Sequence, residues 1–175
     1  MEPQEAGGVF QDWAANRGNP KIQACLAAFR FAQKCHRAPR WLAPLTAIYF
    51  VLYRVVVEWI LAIELHWSLS VGPRLRIYHG YALVVNPASR IGADCILRHG
   101  TTLGLDSRAD DPPSGAPTLG DRVEVGPHVL ILGPVHIGDD AVIGGGAVVT
   151  RDVPSGAVAV GNPARLLERA PVEDG

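Results

Sequence analysis

The sequence has few charges and no excess of basic residues, and this shortage excludes one class of protein. Asp, Glu, Lys and Arg together make up 19% of the 175 residues, and the formal net charge is −1. A protein that binds nucleic acid by neutralising phosphates needs a clear excess of Lys and Arg. We therefore expect no nucleic-acid partner.

Paired cysteines are also lacking. Cys25, Cys35 and Cys95 are odd in number, and no two have C-x-x-C spacing. This pattern predicts neither a disulfide framework nor a thiolate metal site. The opening residues Met-Glu-Pro-Gln-Glu carry acids where a secretory signal would carry basic residues before an apolar run. We expect a reducing, cytoplasmic setting.

No uncharged apolar run reaches the roughly 20 residues that cross a bilayer. The most apolar stretch, 41–64, is interrupted by Pro44, Arg54 and Glu58. The main interpretation is a buried helix. The alternative is an interfacial helix that attaches the protein peripherally to a membrane, because aromatic residues with flanking Arg are typical of such helices. The aromatic surface of that alternative comprises Trp41, Tyr49, Phe50 and Tyr53.

Charge is distributed unevenly along the chain. Between Arg17 and Arg76 there are nine Lys or Arg residues, and the only acids are Glu58 and Glu64. Such a basic half is compatible with an anionic surface or ligand, although a solvated helix face is the preferred interpretation.

The chain before residue 41 predicts one amphipathic helix after a loose arm. Residues 1–18 are polar and hold three glycines. Asn19 then suits a helix cap and Pro20 the first helical position, where a missing N–H costs nothing. From Lys21 to about Arg37 the apolar residues recur at spacings of three and four, which predicts a helix. These residues are Ile22, Cys25, Leu26, Phe29 and Ala32.

From Val71 to Pro163 an aliphatic residue followed by a small one returns every six positions. Neither the period of two of a strand nor the 3.6 of a helix produces this pattern. A three-sided coil does, because each short strand contributes one inward aliphatic and each corner a small residue. Such coils need neighbours and end caps, and the preceding helices suit one cap. The clearest run of aliphatic positions is Leu119, Val125, Ile131, Ile137, Ile143 and Val149.

Two irregularities interrupt the repeat. The register slips by two residues after Leu83, and this predicts a bulge beside His79. His99 follows His79 by one eighteen-residue turn plus that slip, so the two side chains should occupy the same corner of neighbouring coils. Between Gly104 and Leu119 the repeat gives way to a polar, Pro-rich loop of the kind that often contacts ligands.

The repeat resembles the hexapeptide-repeat acyltransferases with a left-handed parallel β-helix, over roughly Asp12 to the C-terminus. The segments 12–21, 78–80 and 97–102 are similar to a branch near serine acetyltransferases and colanic-acid or exopolysaccharide O-acetyltransferases. The resemblance implies a mainly β fold with two N-terminal α-helices before the β-helix. Residues 1–64 would form an arm and helical cap, 65–167 the β-helix with a loop at 105–118, and 168–175 a tail.

The resemblance also implies a catalytic base. His79 matches the catalytic His of the family, and an imidazole titrates near working pH. The family places a carboxylate fifteen residues earlier; Glu64 stands there, where serine acetyltransferases have Asp. A carboxylate would orient the imidazole, although Glu64 also suits a plain helix end. Tyr78 and His99 are expected to contact substrate, with a stacked structural role as the alternative for His99. We interpret His128 and His136 as surface residues.

Acetyl-CoA is the co-substrate that the resemblance implies, bound between subunits of a homotrimer. The N-terminal region is a candidate for higher assembly. No two histidines stand five residues apart, so a zinc site like that of γ-class carbonic anhydrases is not expected. The matching positions are Gly104 and Leu105 near the thioester, Pro127 and Gly145 farther along, and Arg151 and Arg165 for the CoA phosphates, with plain solvated charge as the alternative for the two arginines.

The acceptor is inferred from a missing feature. Serine acetyltransferases carry an Arg-His pair just before the segment that matches 117–120, and here Gly115 and Ala116 stand in its place. Without a cation, a serine carboxylate loses its partner, and this favours a neutral acceptor such as a sugar hydroxyl. The leading hypothesis is O-acetylation of a saccharide or polysaccharide precursor. Serine O-acetylation and a non-catalytic, partner-binding β-solenoid are the alternatives.

Overall fold

Helices come first and short strands follow in the computed structural model, which describes residues 8–105 and 115–167. A 3-10 turn at Ala14–Asn16 leads to helix α1, Pro20–His36. The next helical segment, Arg40–Ile60, is called the apolar helix below. It comprises a 3-10 turn at Arg40–Leu42, helix α2 at Ala43–Tyr53 and a π-helical section at Arg54–Ile60.

The strands that follow are two or three residues long and pair almost entirely in parallel. Sheet A contains β1-β4-β7-β10-β13, sheet B contains β2-β5-β8-β11, and sheet C contains β3-β6-β9-β12-β14 with β15 antiparallel at its end. The strands are β1 Ile63–Leu65, β2 Ser70–Val71, β3 Arg76–Tyr78, β4 Leu83–Val85, β5 Arg90–Ile91, β6 Ile96–Arg98, β7 Thr102–Gly104, β8 Thr118–Leu119, β9 Glu124–Val125, β10 Leu130–Leu132, β11 His136–Ile137, β12 Val142–Ile143, β13 Val148–Val149, β14 Val158–Val160 and β15 Arg165–Leu166.

Because the chain passes from sheet A to B to C and back to A, it winds around a three-sided prism. We call the edges of this prism A/B, B/C and C/A after the sheets they join. The architecture confirms the predicted left-handed parallel β-helix after two helices. The six aliphatic residues of the predicted run point into the prism, and each is at most 2% exposed. The period of six is therefore the spacing between successive faces.

The register shows where the irregularities lie. Ile63 pairs with Leu83, whereas Val84 pairs with Thr102, so the first turn is two residues longer than the second. The extra residues lie in the corner between β3 and β4, where His79 and Ala82 have φ values of 66° and 52°. The slip thus forms a widened corner and not a bulge within a strand. Most of the predicted loop, residues 106–114, lies outside the described residues.

The segment before α1 is packed against the first coil. Asp12 and Arg30 form a buried ion pair, with Oδ2 2.7 Å from Nε. Arg30 also donates to the carbonyl oxygens of Val71 and Gly72, and the Leu75 N–H donates to Asp12 Oδ1. The prediction of a loose arm is therefore wrong for residues 8–18; residues 1–7 lie outside the described part.

Asn16 completes this cap of the first coil. Its Nδ2 donates to the Leu75 carbonyl, and its Oδ1 accepts from the Ile77 N–H. One side-chain amide therefore pairs with both a backbone acceptor and a backbone donor at the unpaired edge of β3. The predicted helix start is confirmed, because Asn19 accepts from the Ile22 N–H at 3.3 Å and Pro20 is the first helical residue. All five apolar positions predicted for α1 are buried.

The apolar helix differs from its main prediction. Only 11% of its apolar window is buried, although the segment is long and apolar enough to cross a membrane by length and composition. Tyr53 and Val57 are buried, while Trp41 is 77% and Trp59 72% exposed. The prediction of a buried helix is therefore wrong: α1 and the first coil cover one stripe of this helix and leave the rest exposed.

Strand β1 begins at Ile63, two residues before the predicted start of the β-helix at residue 65. The predicted tail, 168–175, lies outside the described residues.

Candidate active site

His79 projects from the corner that joins β3 to β4, at the C/A edge. Its side chain is exposed and its φ of 66° is left-handed, a conformation that few non-glycine residues adopt. Gly80 follows with a φ of 72°, and a Cβ there would lie 2.9 Å from the Ile63 side chain and 3.0 Å from that of Ile22. Lys21 Nζ donates to the His79 carbonyl at 2.9 Å. The start of α1 thus holds this corner in place.

The imidazoles of three successive coils stand in a column along the C/A edge. The ring centroids of His79 and His99 are 5.6 Å apart, and those of His99 and His128 are 4.9 Å apart, both edge to face. The predicted neighbourhood of His79 and His99 is therefore present. His99 Nδ1 is buried and has no hydrogen-bond partner among the described residues.

Sequence reasoning left His128 out of this column. It is exposed, as expected of a surface residue, but its N–H donates to the His99 carbonyl. Thr102 pairs with Leu130, so the turn between them contains ten residues more than an ordinary turn, which the ejected loop supplies. The spacing of 29 residues between His99 and His128, less these ten, is one residue more than a regular turn, so the spacing alone did not align the two histidines.

Glu64 lies in the middle of β1 with its side chain exposed, on the face that begins at the C/A edge. It occupies a strand and does not end the helix. Within the described residues no hydrogen bond or ion pair joins the Glu64 carboxylate to the His79 imidazole. The dyad stays a prediction, with both side chains exposed near one edge.

Tyr78 occupies sheet C directly before His79 and is 40% exposed. It pairs in register with Arg98, whose guanidinium lies 5.4 Å from the Tyr78 ring centroid. Arg98 in turn forms an ion pair with Glu124 at 2.7 Å. A polar strip therefore leads away from His79 across sheet C, suited to contact with a hydroxylated ligand.

The residues predicted to bind CoA fall into two groups at opposite edges of sheet A. Gly104 ends β7, Leu105 follows it, and Arg151 follows β13, so these three lie along the A/B edge. The second group lies along or beside the C/A edge. It comprises Pro127 before β10, Gly145 before β13, and Arg165 in β15 at the end of sheet C. One chain does not bring the two groups together.

Glycines at both edges allow neighbouring coils to stack closely. A Cβ at Gly145 would lie 3.2 Å from Pro127 Cδ, and one at Gly104 would lie 3.3 Å from Leu132 Cδ2. Gly146 has a φ of 71°, and a Cβ there would meet no atom of the described residues within 4 Å. An elongated ligand could thus approach the main chain here. Across residues 8–105 and 115–167, no group of three His, Cys, Asp or Glu side chains is arranged to hold a metal.

Comparison with known proteins agrees with this geometry. Residues 116–151 match the family described as bacterial transferase hexapeptide (six repeats). The chain is 34% identical to the provisionally named colanic acid biosynthesis acetyltransferase WcaB of Escherichia coli (strain K12), over 90% of this chain and 98% of that protein. It is 33% identical to a serine acetyltransferase of Helicobacter pylori (strain ATCC 700392 / 26695), over 95% and 92%.

A solved structure shows the same fold. The soybean serine acetyltransferase apoenzyme superposes with a TM-score of 0.76 at 30% identity, covering 91% of this chain and 67% of that one. The stacked hexapeptide coils, the helical cap and these relatives all agree, and the chain therefore belongs to the hexapeptide-repeat acetyltransferases.

Proposed function

We propose that this protein transfers an acetyl group from acetyl-CoA to a hydroxyl of a saccharide or polysaccharide precursor, with His79 as general base. One observation carries the proposal. An exposed imidazole is held at a left-handed corner that two extra residues and the start of α1 create. Seven other described non-glycine residues also have a positive φ, and His79 differs from them because it places an imidazole at the corner that the two extra residues widen.

The chemistry asked of His79 is proton transfer. Its neutral imidazole accepts the proton of the acceptor hydroxyl as that oxygen attacks the acetyl carbonyl carbon. The bond from that carbon to sulfur then breaks, and the imidazolium returns the proton to the departing sulfur. Acetyl-CoA supplies the activated thioester. The products are an O-acetyl ester and free CoA thiol.

The neighbouring side chains support this step. Glu64 is the proposed partner that orients His79, since its side chain is exposed in sheet A, the sheet that the chain enters after the His79 corner. Tyr78 and His99 are the proposed acceptor contacts, because both adjoin His79. Hydrogen bonds of this kind hold the acceptor in line for attack.

The proposed acetyl-CoA groove needs two copies of the chain. Gly104, Leu105 and Arg151 lie at one edge of sheet A, while Pro127 and Gly145 lie at the other with His79. If copies pack edge to edge around a threefold axis, the A/B edge of one adjoins the C/A edge of the next. We therefore propose a homotrimer with its sites between subunits, in the cytoplasm, where unpaired thiols persist.

The acceptor follows from Gly115 and Ala116. A serine carboxylate needs a cationic partner, and these two positions provide no charge where serine acetyltransferases carry an Arg-His pair. The similarity over 98% of the E. coli relative named for colanic acid biosynthesis also favours a saccharide. Serine remains the second candidate, because the H. pylori serine acetyltransferase is matched over 95% of this chain.

The test is a turnover assay with purified protein and acetyl-CoA. Serine, simple sugars and oligosaccharides would be offered separately, with release of CoA thiol as the readout. We expect turnover with a saccharide to exceed turnover with serine by about tenfold or more, because the serine carboxylate would find no charged partner in the site. Serine turnover equal to that of every saccharide would contradict the proposed acceptor, and no turnover with any acceptor would favour the partner-binding solenoid.

A further inference from the structure

The apolar helix presents an unbroken apolar stripe to solvent. Its members recur at spacings of four and three, which places them on one helical face. At 1.5 Å per residue the stripe is about 27 Å long, and no charged side chain interrupts it. Isolated exposed hydrophobic residues are ordinary, but a contiguous patch marks an interaction site. The members and their exposed fractions are Trp41 77%, Leu45 66%, Ile48 61%, Leu52 57%, Val56 47% and Trp59 72%.

The opposite side of the helix is bound to the body of the protein. Tyr49 Oη donates to the Ala28 carbonyl at 2.8 Å, and Tyr53 Oη donates to the Leu65 carbonyl at 2.6 Å. Phe50 stacks on Trp67 with ring centroids 4.3 Å apart. Insertion across a bilayer would break these contacts, so the geometry favours a helix that lies along a surface. The aromatic residues predicted for attachment are therefore mostly on the wrong side: of the four, only Trp41 belongs to the stripe.

Positive charge precedes the stripe along the chain. Lys34 and Arg37, at the end of α1, and Arg40, at the start of the apolar helix, are all exposed. None of them forms an ion pair within the described part of the chain. The nearest acid on the helix, Glu58, lies near its other end and is paired with Arg54 at 3.2 Å. A surface that meets this side of the molecule must accept apolar side chains and offer negative charge.

An anionic lipid bilayer has both properties. We propose that the apolar helix docks this protein on an anionic membrane surface. The stripe lies at the boundary between headgroups and acyl chains, and Lys34, Arg37 and Arg40 contact anionic headgroups. Trp41 and Trp59 suit the two ends of the stripe, because indole rings favour the membrane interface. The inference is independent of which hydroxyl the enzyme acetylates.

Flotation with lipid vesicles tests the apolar contact. Wild-type protein should float with vesicles of phosphatidylcholine and phosphatidylglycerol. The double variant Ile48→Glu/Leu52→Glu should lose binding by about tenfold or more, because two charges would enter the apolar boundary. Leu166→Glu/Leu167→Glu is the matched control: it makes the same change at exposed leucines on the β-helix and should float as wild type does.

Two further experiments test the contact of the basic residues with headgroups and the depth of the tryptophans in the bilayer. Arg37→Gln/Arg40→Gln should weaken binding to the mixed vesicles, whereas Arg74→Gln/Arg122→Gln, with the same loss of charge at exposed β-helix sites, should not. Salt should weaken wild-type binding, since the contact with headgroups is screened. Brominated lipids should quench wild-type fluorescence, and Trp41→Phe/Trp59→Phe should remove most of that quenching, leaving Trp13 and Trp67.

Three results would overturn the proposal. Folded wild-type protein that stays with the aqueous phase at low salt would do so. Equal flotation of the stripe variant and its control would show that another surface binds lipid. If Ile48→Glu/Leu52→Glu instead reduces the mass of the assembly measured by light scattering, and wild type does not float, the stripe is covered by a second copy of the chain. The substituted side chains are exposed, and circular dichroism would verify that each variant folds.

Discussion

At the scale of single residues, His79 carries the proposed chemistry. His79→Ala should lower turnover by 10²–10⁴-fold, the usual order of a lost general base, with little change in CoA affinity. His136→Ala is the matched control, because His136 is exposed on β11 in sheet B, away from the C/A edge. Steady-state kinetics and calorimetric titration with CoA would measure both effects. Retained turnover in His79→Ala would remove His79 from this role.

The three thiols should differ in reactivity for a physical reason. Burial raises the pKa of Cys25 to about 12 and that of Cys95 to about 11. Both groups have raised pKa values, so at pH 8 they remain protonated thiols, which are poor nucleophiles. Burial also raises the pKa of Cys35, but Cys35 is only partly buried.

An aromatic disulfide reagent should therefore label one thiol per native chain rapidly and all three after denaturation. The number of rapidly labelled protein thiols matters because the turnover assay detects the free CoA thiol, and a reactive protein thiol would add to that signal. Cys35→Ser should remove the fast reaction and leave the two slow ones. Rapid labelling of native Cys35→Ser protein would show that the buried thiols open readily.

At the scale of elements, the Asp12–Arg30 ion pair joins the N-terminal segment, α1 and the first coil. Removing one partner of a buried pair leaves an uncompensated charge, so Asp12→Ala should lower the free energy of unfolding by about 3–5 kcal/mol. Asp94→Asn, which removes the charge of an exposed partner of Arg74 and tolerates the left-handed backbone at that position, should change it little. Denaturant titration would measure both. Equal effects of the two substitutions would mean that the cap contributes no special stability.

The tight stacking of coils gives another prediction at this scale. A Cβ at Gly92 would lie 2.3 Å from the Gly120 carbonyl oxygen, and that backbone atom cannot turn away. Gly92→Ala should therefore destabilise the β-helix by about 1–3 kcal/mol, as overpacking does. Gly115→Ala, whose nearest contact would be Pro134 Cβ at 3.4 Å, should be neutral. Thermal unfolding of the two variants would measure the difference in stability, and equal stabilities would contradict the prediction.

At the scale of the whole molecule, the division of the CoA residues between two edges makes activity depend on assembly. Light scattering should give the mass of three chains. His79→Ala chains and Gly104→Trp chains should each be inactive, because one lacks the base and the other blocks the A/B edge. After joint unfolding and refolding, a mixture should recover about a quarter of wild-type activity, since one site in four then pairs two intact edges. An inactive mixture would mean that a single chain supplies the whole site, and it would contradict a site shared between subunits.

Much of the fold follows from local pattern. The aliphatic residue at every sixth position can be buried only if each short strand turns a corner, and Leu119 to Val149 do so. Asn19 and Pro20 start α1 because capping is a local interaction. The contact of His79 with His99 was also predictable, because one eighteen-residue turn plus the two-residue slip equals their separation of twenty. The alignment of His128 was not, because a loop of unknown closure separates it from His99.

Two features depended on distant contacts. The cap at residues 12–16 forms because Asp12 and Asn16 complete the hydrogen bonds at the edge of β3, some sixty residues away. Composition alone predicts that this segment is a loose arm. The exposure of the apolar helix was likewise decided by how much surface α1 and the first coil offer to it. Hydrophobicity shows that a segment avoids water, but it does not show which surface covers it.

The sequence by itself determined the repeat, the β-helix, the start of α1 and the position of His79 beside an irregularity. The tertiary structure decided which residues meet: the histidine column at the C/A edge, the two groups of predicted CoA residues on opposite edges, and the uncovered stripe of the apolar helix. The physical reason is that periodicity is a property of near neighbours along the chain. Contacts between edges, caps and faces depend on the geometry of the complete prism.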